Sequence, residues 1–233
     1  MAREGIDVIV CLPCTNNHDR GQQDARYLTQ LGENSDEVTV VFPIEGEVTA
    51  WLYQGGVWPS SNWFTDIRSG GRGAGGQTVV GRLREMGLEQ GTIGIAGLTC
   101  GLLSHVRQAE GEANWQSVEI IKQAFMNARV LSATGVLGEA RYVKSEEKIE
   151  FIRKGTEVAE KTMQAALECA REGVAERHVF ARMTFANADA GGSFPPMLGW
   201  ISGPLGLAYH RVEQPTFRKF KAGDVLYQCV SVW

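Results

Sequence analysis

No apolar run in this 233-residue sequence approaches the ~20 residues that a membrane-spanning helix requires. The start, Met1-Ala2-Arg3-Glu4-Gly5, lacks signal-peptide anatomy and leads straight into a strand-like run from Ile6 to Leu12. No basic stripe is present: residues 1–140 sum to −6 and residues 141–233 to +2, which argues against a nucleic-acid partner. Cysteine is sparse and odd in number, five in all, so reduced thiols are expected. Cys11 and Cys14 have C-x-x-C spacing, but a loop-like stretch follows and no second pair completes a zinc site, so they read as strand-end cysteines. With 43% hydrophobic and 21% charged residues, disordered, collagen-like and coiled-coil classes are excluded. The composition predicts a soluble, cytoplasmic α/β protein of one large domain or two small ones.

Apolar, β-rich stretches at 6–12 and 92–96 read as buried strands, and Arg26-Tyr27-Leu28-Thr29 as a further short strand. Residues 37–42 and 48–53, joined through Pro43-Ile44-Glu45-Gly46-Glu47, read as a hairpin. Helices are expected near 77–88, 101–110 and 115–128, the last with Val118, Ile121 and Phe125 on one apolar face. The glycine cluster at 69–76 lacks the Gly-Lys-Ser/Thr of a phosphate loop and reads as a flexible loop. Ser132 to Gly138 reads as a break.

Beyond the break, Ser145 is placed to cap a long helix to about Arg171, with Glu146 and Glu147 in its first turn. Its expected buried stripe includes Ile149, Ile152, Val158, Met163, Ala166 and Leu167. A second helix is expected from 176 to 188, then a strand from Met197 to Ile201. A final strand, Val225 to Trp233, has no turn and no partner strand after it, so an unpaired face is expected there. His105 and His178 fall in helical segments and read as surface residues, and the six tryptophans mostly as core or interface.

Several motifs occur in a telling order. Arg26-Tyr27-Leu28-Thr29 is followed by Ala140-Arg141-Tyr142-Val143-Lys144-Ser145-Glu146-Glu147-Lys148-Ile149. Then come Gly173-Val174-Ala175-Glu176, Ile201-Ser202-Gly203-Pro204, His210, and Phe220-Lys221-Ala222-Gly223-Asp224. This series resembles the creatinase/aminopeptidase P family, the pita-bread C–N hydrolases that include Xaa-Pro peptidases. It matches their "R-Y-L-T-G" (with Gln30 for the glycine), "R-x-x-K-S-x-x-E-I", "G-x-T-E" and "G-P…H…R-x-L-x-x-G-D" stretches.

The resemblance implies an α/β creatinase-like N-terminal domain over 1–138 and an incomplete α+β pita-bread domain over 139–233. It implies hydrolysis of a C–N bond in a small peptide, by an Xaa-Pro aminopeptidase or dipeptidase, usually as a homodimer. The peptidase branch uses a divalent metal pair (Mn, Co or Zn) that activates a bridging water. His210 matches the family's upstream histidine, which contacts substrate. Because one subunit's N-terminal domain often covers the other's active site, Trp58 and Trp63 are candidate substrate-facing residues. The position of the first aspartate ligand falls on Cys229, a soft donor where hard oxygen is expected, and the later ligands would lie past Trp233. The chain as it stands is therefore expected to be inactive. One alternative is a metal-free, creatinase-like amidinohydrolase in which His210 moves the proton. Another is a non-catalytic module of the same fold that binds peptides or proteins.

Overall fold

The protein is described from a computed structural model, which covers residues 1–13, 23–31, 38–52, 62–70, 75–98, 113–192, 197–205 and 214–231. The chain divides into two compact units, Met1–Val143 and Lys144–Trp233.

The first unit is built on a six-stranded mixed sheet. Its strands are β1 (Val8–Cys11), β2 (Thr39–Pro43), β3 (Thr49–Leu52), β4 (Asp66–Ser69), β5 (Thr92–Ile95) and β6 (Arg129–Ser132), in the order β4-β3-β2-β1-β5-β6. The expected hairpin is present as β2 and β3, antiparallel with Val40 opposite Ala50. β1 pairs antiparallel with β2 and parallel with β5. Every residue of β1 is buried because both faces of the sheet are covered. Ile9 and Cys11 pack into one core with Ala25, Leu31, Val40 and Leu137. Val8 and Val10 pack into the other, with Val79, Leu83, Ile93, Ile121 and Phe125. Helices α2 (Gly76–Glu85) and α3 (Trp115–Ala124) supply that second layer. They cross closely at Gly76, where an added Cβ would lie 2.6 Å from the Ser117 carbonyl oxygen. The last glycine of the 69–76 cluster thus serves helix packing, while residues 71–74 fall outside the described residues.

Two expectations are corrected in this unit. Arg26 to Thr29 are not a strand but the end of helix α1 (Gln23–Thr29). Asp24 and Ala25 are buried, the Thr29 hydroxyl donates to the Ala25 carbonyl at 2.7 Å, and Gln30 leaves the helix with φ +57°. The stretch read as a break holds the end of β6 and then helix α4 (Thr134–Tyr142). β6 lies at the sheet's edge and is only partly covered, which removes the apolar signal that marks a buried strand.

The second unit consists of helices α5 (Glu146–Cys169) and α6 (Glu176–Asp189) and the antiparallel pair β7 (Met197–Pro204) and β8 (Asp224–Ser231). Ser145 caps α5 as expected, its hydroxyl accepting from the Lys148 N–H at 3.3 Å. The expected buried stripe of α5 is largely open: Ile152 and Leu167 are 55% and 73% exposed, and only Thr162 and Ala166 are buried. The core is small, formed by Ala166, Val179, Met183, Trp200 and Phe220. The final strand does have a partner, β7, which precedes it, with Trp200 opposite Gln228 and Pro204 opposite Asp224. Among the described residues the other edge of β8 has no strand beside it.

Candidate functional site

The most highly organised polar cluster among the described residues lies in the second unit and is centred on Glu176. Gly173, at φ +83°, turns the chain after α5, and Ala175 pairs with Lys219 in an isolated bridge, so Glu176 opens α6 facing inward. Its side chain is 1% exposed. A carboxylate taken out of water needs donors on both oxygens, and it has them. Oε1 accepts from the Ser202 hydroxyl at 2.7 Å and from Arg218 Nη1 at 3.3 Å. Oε2 accepts from the Thr216 N–H at 2.8 Å and the Thr216 hydroxyl at 2.6 Å.

Arg218 links this carboxylate to a second one. Its Nη2 donates to Asp224, the first residue of β8, which also accepts from the Lys221 N–H at 2.7 Å. The Arg218 hydrogen bond, aided by the Lys221 N–H, holds the Asp224 carboxyl below its ordinary range, and the same bond pushes the guanidinium up. Asp224 and Arg218 are thus favoured in their charged forms, and the cluster holds its partners in fixed geometry. With both oxygens of Glu176 already accepting, it is suited to holding chain segments in place rather than to attacking a substrate.

Three members of this cluster stand in the sequence motifs. Glu176 and Asp224 close the Gly-x-x-Glu and Gly-Asp motifs, and Ser202 stands in Ile201-Ser202-Gly203-Pro204. Thr216 and Arg218 reach Glu176 across 40 and 42 residues, which leaves no local pattern, although Arg218 stands only six residues before its other partner, Asp224.

His210 and Trp58 lie outside the described residues, as does His105. Cys229 stands opposite Gly199 in the β7–β8 register, its side chain likewise outside what is described. Trp63 is 57% exposed in the first unit, with its ring edge-on to Phe42 at 6.1 Å and Phe64 at 5.3 Å. His178 is exposed on α6. Cys11 is buried, and burial raises its thiol pKa well above the ordinary value, which suits a packing role.

A two-metal centre does not fit the residues described. Among them no three His, Cys, Asp or Glu side chains gather in a way that could hold an ion. The buried carboxylates of Glu176 and Asp224 are engaged by Ser202, Thr216 and Arg218. No helix among the described residues is long and apolar enough to cross a membrane.

No protein-family model matches the chain. An Xaa-Pro dipeptidase from Pyrococcus furiosus is 33% identical over 76 residues, which is 33% of this chain and 22% of that protein. Among solved structures, an X-Pro aminopeptidase from Thermotoga maritima superposes with a TM-score of 0.72 at 15% identity, covering 100% of this chain and 59% of that one. An Xaa-Pro dipeptidase from Bacillus anthracis gives 0.66 at 17%, covering 99% and 57%. A prolidase from Pyrococcus furiosus gives 0.65 at 19%, covering 97% and 61%. The chain thus spans about three fifths of the length of these structures. The expected fold is borne out: an α/β creatinase-like unit followed by part of an α+β pita-bread unit.

Proposed function

We propose that this chain belongs to the Xaa-Pro peptidase branch of the creatinase/aminopeptidase P family and serves hydrolysis of a C–N bond in a small, proline-containing peptide. The observation that carries this reading is the convergence of motifs on one cluster. Glu176 of the Gly-x-x-Glu step, Ser202 of the Ser-Gly-Pro stretch and Asp224 of the Gly-Asp pair are far apart in sequence. Arg218 and direct hydrogen bonds connect all three. A chance scatter of weak motifs has no reason to assemble in this way.

In this reading His210 contacts the peptide and supports charge as the scissile carbonyl changes; free imidazole, titrating near pH ~6.5, is suited to that work. Trp63, exposed beside Phe42, and Trp58 would line the peptide's path, and a cytoplasmic homodimer is the assembly in which they could do so. A divalent metal pair would activate the attacking water in the peptidase branch. The described residues do not fit such a pair, and Cys229 occupies the sequence position of its first carboxylate ligand.

The test is binding and turnover of an Xaa-Pro dipeptide by the 233-residue chain. We expect the dipeptide to bind, to perturb the His210 ring signal, and to lose about tenfold or more in affinity in His210→Asn, as for a truncated polar contact of ~1.4 kcal/mol. No turnover is expected from this chain. A dipeptide that neither binds nor is cleaved defeats the reading, and measured peptidase activity defeats the expectation of an inactive chain.

A further inference from the structure

We propose that the outer edge of β8 and the groove beside it under α5 form a docking surface for a second copy of this chain, the two β8 strands pairing antiparallel across a two-fold axis. β8 is eight residues long and pairs with β7 along one edge; among the described residues no strand lies beside the other. Such an edge is a row of backbone donors and acceptors open to another strand, and folds ordinarily blunt it by shortness, charge or proline. The edges of the six-stranded sheet are blunted in this way: β4 has four residues and carries Asp66 and Arg68, and β6 has four and begins with the exposed Arg129. β8 has none of these devices, for Val225 to Ser231 include no charged residue and no proline.

A groove of about 500 Å³ runs along the same strand, lined by Met163, Leu167 and Ala170 of α5 and by Leu226 and Tyr227 of β8. Leu167 is 73% and Tyr227 53% exposed. A strand laid beside β8 would satisfy the backbone edge and bring side chains over these apolar groups in one event. No residue of β7 lines the groove, and β7 ends in Pro204, which has no N–H to give, so the surface belongs to β8.

Charge and symmetry point to a second copy as the occupant. The rim holds both signs, Arg171 and Lys221 with Glu172, so it does not repel its own copy and does not select a partner of one sign. In an antiparallel pair the one charged residue of each β8, Asp224, lies at the opposite end from its mate, roughly 24 Å away. The midpoint of the strand falls at Tyr227 and Gln228, so the contact is self-complementary, as a two-fold interface requires. One strand edge and one groove lie at the low end of specific interfaces, about 1,200 Å² in total, so the dimer is expected to form in the micromolar range.

Sedimentation velocity of the whole 233-residue chain, from low micromolar concentration upward, tests this. A monomer–dimer equilibrium is expected, with amide exchange in β8 slowing as the dimer fills and exchange in β4 and β6 unchanged. Tyr227→Lys sets two like charges near the two-fold axis and should weaken the dimer about tenfold or more. An equimolar mixture with Tyr227→Glu should restore it as a mixed pair. Phe151→Lys, also exposed on α5 but outside this groove, should leave the dimer unchanged. A monomer at every concentration, or growth into open-ended assemblies, overturns the proposal. A dimer indifferent to Tyr227→Lys does so too, because its contact would then lie elsewhere, as in the assembly invoked for Trp58 and Trp63. Equal weakening by Phe151→Lys would mean general apolar adhesion and overturns it as well. Should Tyr227→Lys fail to fold by circular dichroism, β8 exchange in the parent decides alone, and rates independent of concentration overturn the pairing. No dipeptide or turnover enters this experiment, so it stands or falls apart from the peptidase reading.

Discussion

The first unit buries its strands between two apolar layers, whereas the second unit rests on five core side chains and a buried set of polar ones. In the first, Ile9 and Cys11 on one side and Val8 and Val10 on the other meet separate clusters of more than ten residues each. Its arginine cluster, Asp66–Arg68–Glu85, lies at the surface, with Arg68 and Glu85 side chains 36% and 51% exposed. In the second, Trp200, Met183, Val179, Ala166 and Phe220 make up the apolar core, and Thr162, Glu176, Asn187 and Ser202 are buried beside it. The corresponding arginine cluster is interior: Glu176 is 1% and Asp224 4% exposed. Apolar burial is non-directional and tolerates small displacement. Bonds to a buried carboxylate fix distances and angles, and removing one partner leaves a desolvated charge. The two units thus obtain order by different means, and the second has its order concentrated around Glu176, Arg218 and Asp224.

Replacing the arginine of each cluster should separate the two regimes most strongly. Arg218→Leu leaves two buried carboxylates without their cation and should cost the second unit about 3–5 kcal/mol. Arg68→Leu, at the surface, should cost about 1 kcal/mol or less. Amide hydrogen exchange resolved by unit measures both. Equal losses would mean that the burial difference has no energetic meaning.

In the first unit the vulnerable point is a packing contact. Gly76→Ala forces a methyl group to within 2.6 Å of the Ser117 carbonyl and 2.9 Å of Ile120 Cβ, so α2 and α3 must separate. Overpacking of this kind costs about 1–3 kcal/mol, read as a lower urea midpoint for the first unit with exchange in α5 and α6 unchanged.

Acid should weaken the second unit through Asp224. Its carboxyl is held low in the folded chain, first by the Arg218 hydrogen bond. A group of that kind contributes stability above the unfolded carboxylate value near pH ~3.9, and the contribution is lost as pH falls through the lower folded value. The stability gap between the parent and Asp224→Asn, from urea melts between neutral pH and pH ~3, should therefore shrink as the solution becomes acidic. A gap independent of pH would show that the charge of Asp224 is immaterial. Asp66 also sits low: burial raises it, but hydrogen bonds from Arg68 and Thr49 together outweigh burial. With Arg68 more than a third exposed, Asp66→Asn should show the smaller pH dependence.

Much of this architecture could be read from residue patterns, and the misreadings share a cause. β1, the β2–β3 hairpin, α3, α6 and the Ser145 cap announce themselves through continuous apolar runs, a glycine turn, period-3.6 spacing and a capping hydroxyl. α5 was legible as a helix but not as a surface: Ile149, Ile152 and Leu167 fit a core stripe, yet among the described residues little packs against them. Periodicity reports which side chains are apolar, not whether a partner covers them. β6 is half-covered at an edge and α4 carries Gly135 and Gly138, so neither produces a strong pattern. In the polar cluster, the motif carboxylates Glu176 and Asp224 were legible, whereas the bonds of Thr216 and Arg218 to Glu176 span some forty residues, and only the Arg218 bond to Asp224 is local, across six.

The smallest expected effect lies where one such motif departs from its relatives. Arg26 to Thr29 match the family's Arg-Tyr-Leu-Thr, but the next residue is Gln30 where a glycine is expected, and its φ of +57° lies in the left-handed region. That conformation costs a residue bearing a Cβ roughly 1–2 kcal/mol. Gln30 is exposed, its N–H is engaged with the Arg26 carbonyl at 2.7 Å, and nothing in that bond depends on its side chain. Gln30→Gly removes the strain but returns about 0.5–1 kcal/mol of chain entropy to the unfolded state. The net expectation is a gain near 0.5 kcal/mol, confined to the first unit and seen as slower exchange in α1 with the second unit unchanged. A loss of stability would mean that the Gln30 side chain holds the end of α1 by contacts other than its backbone.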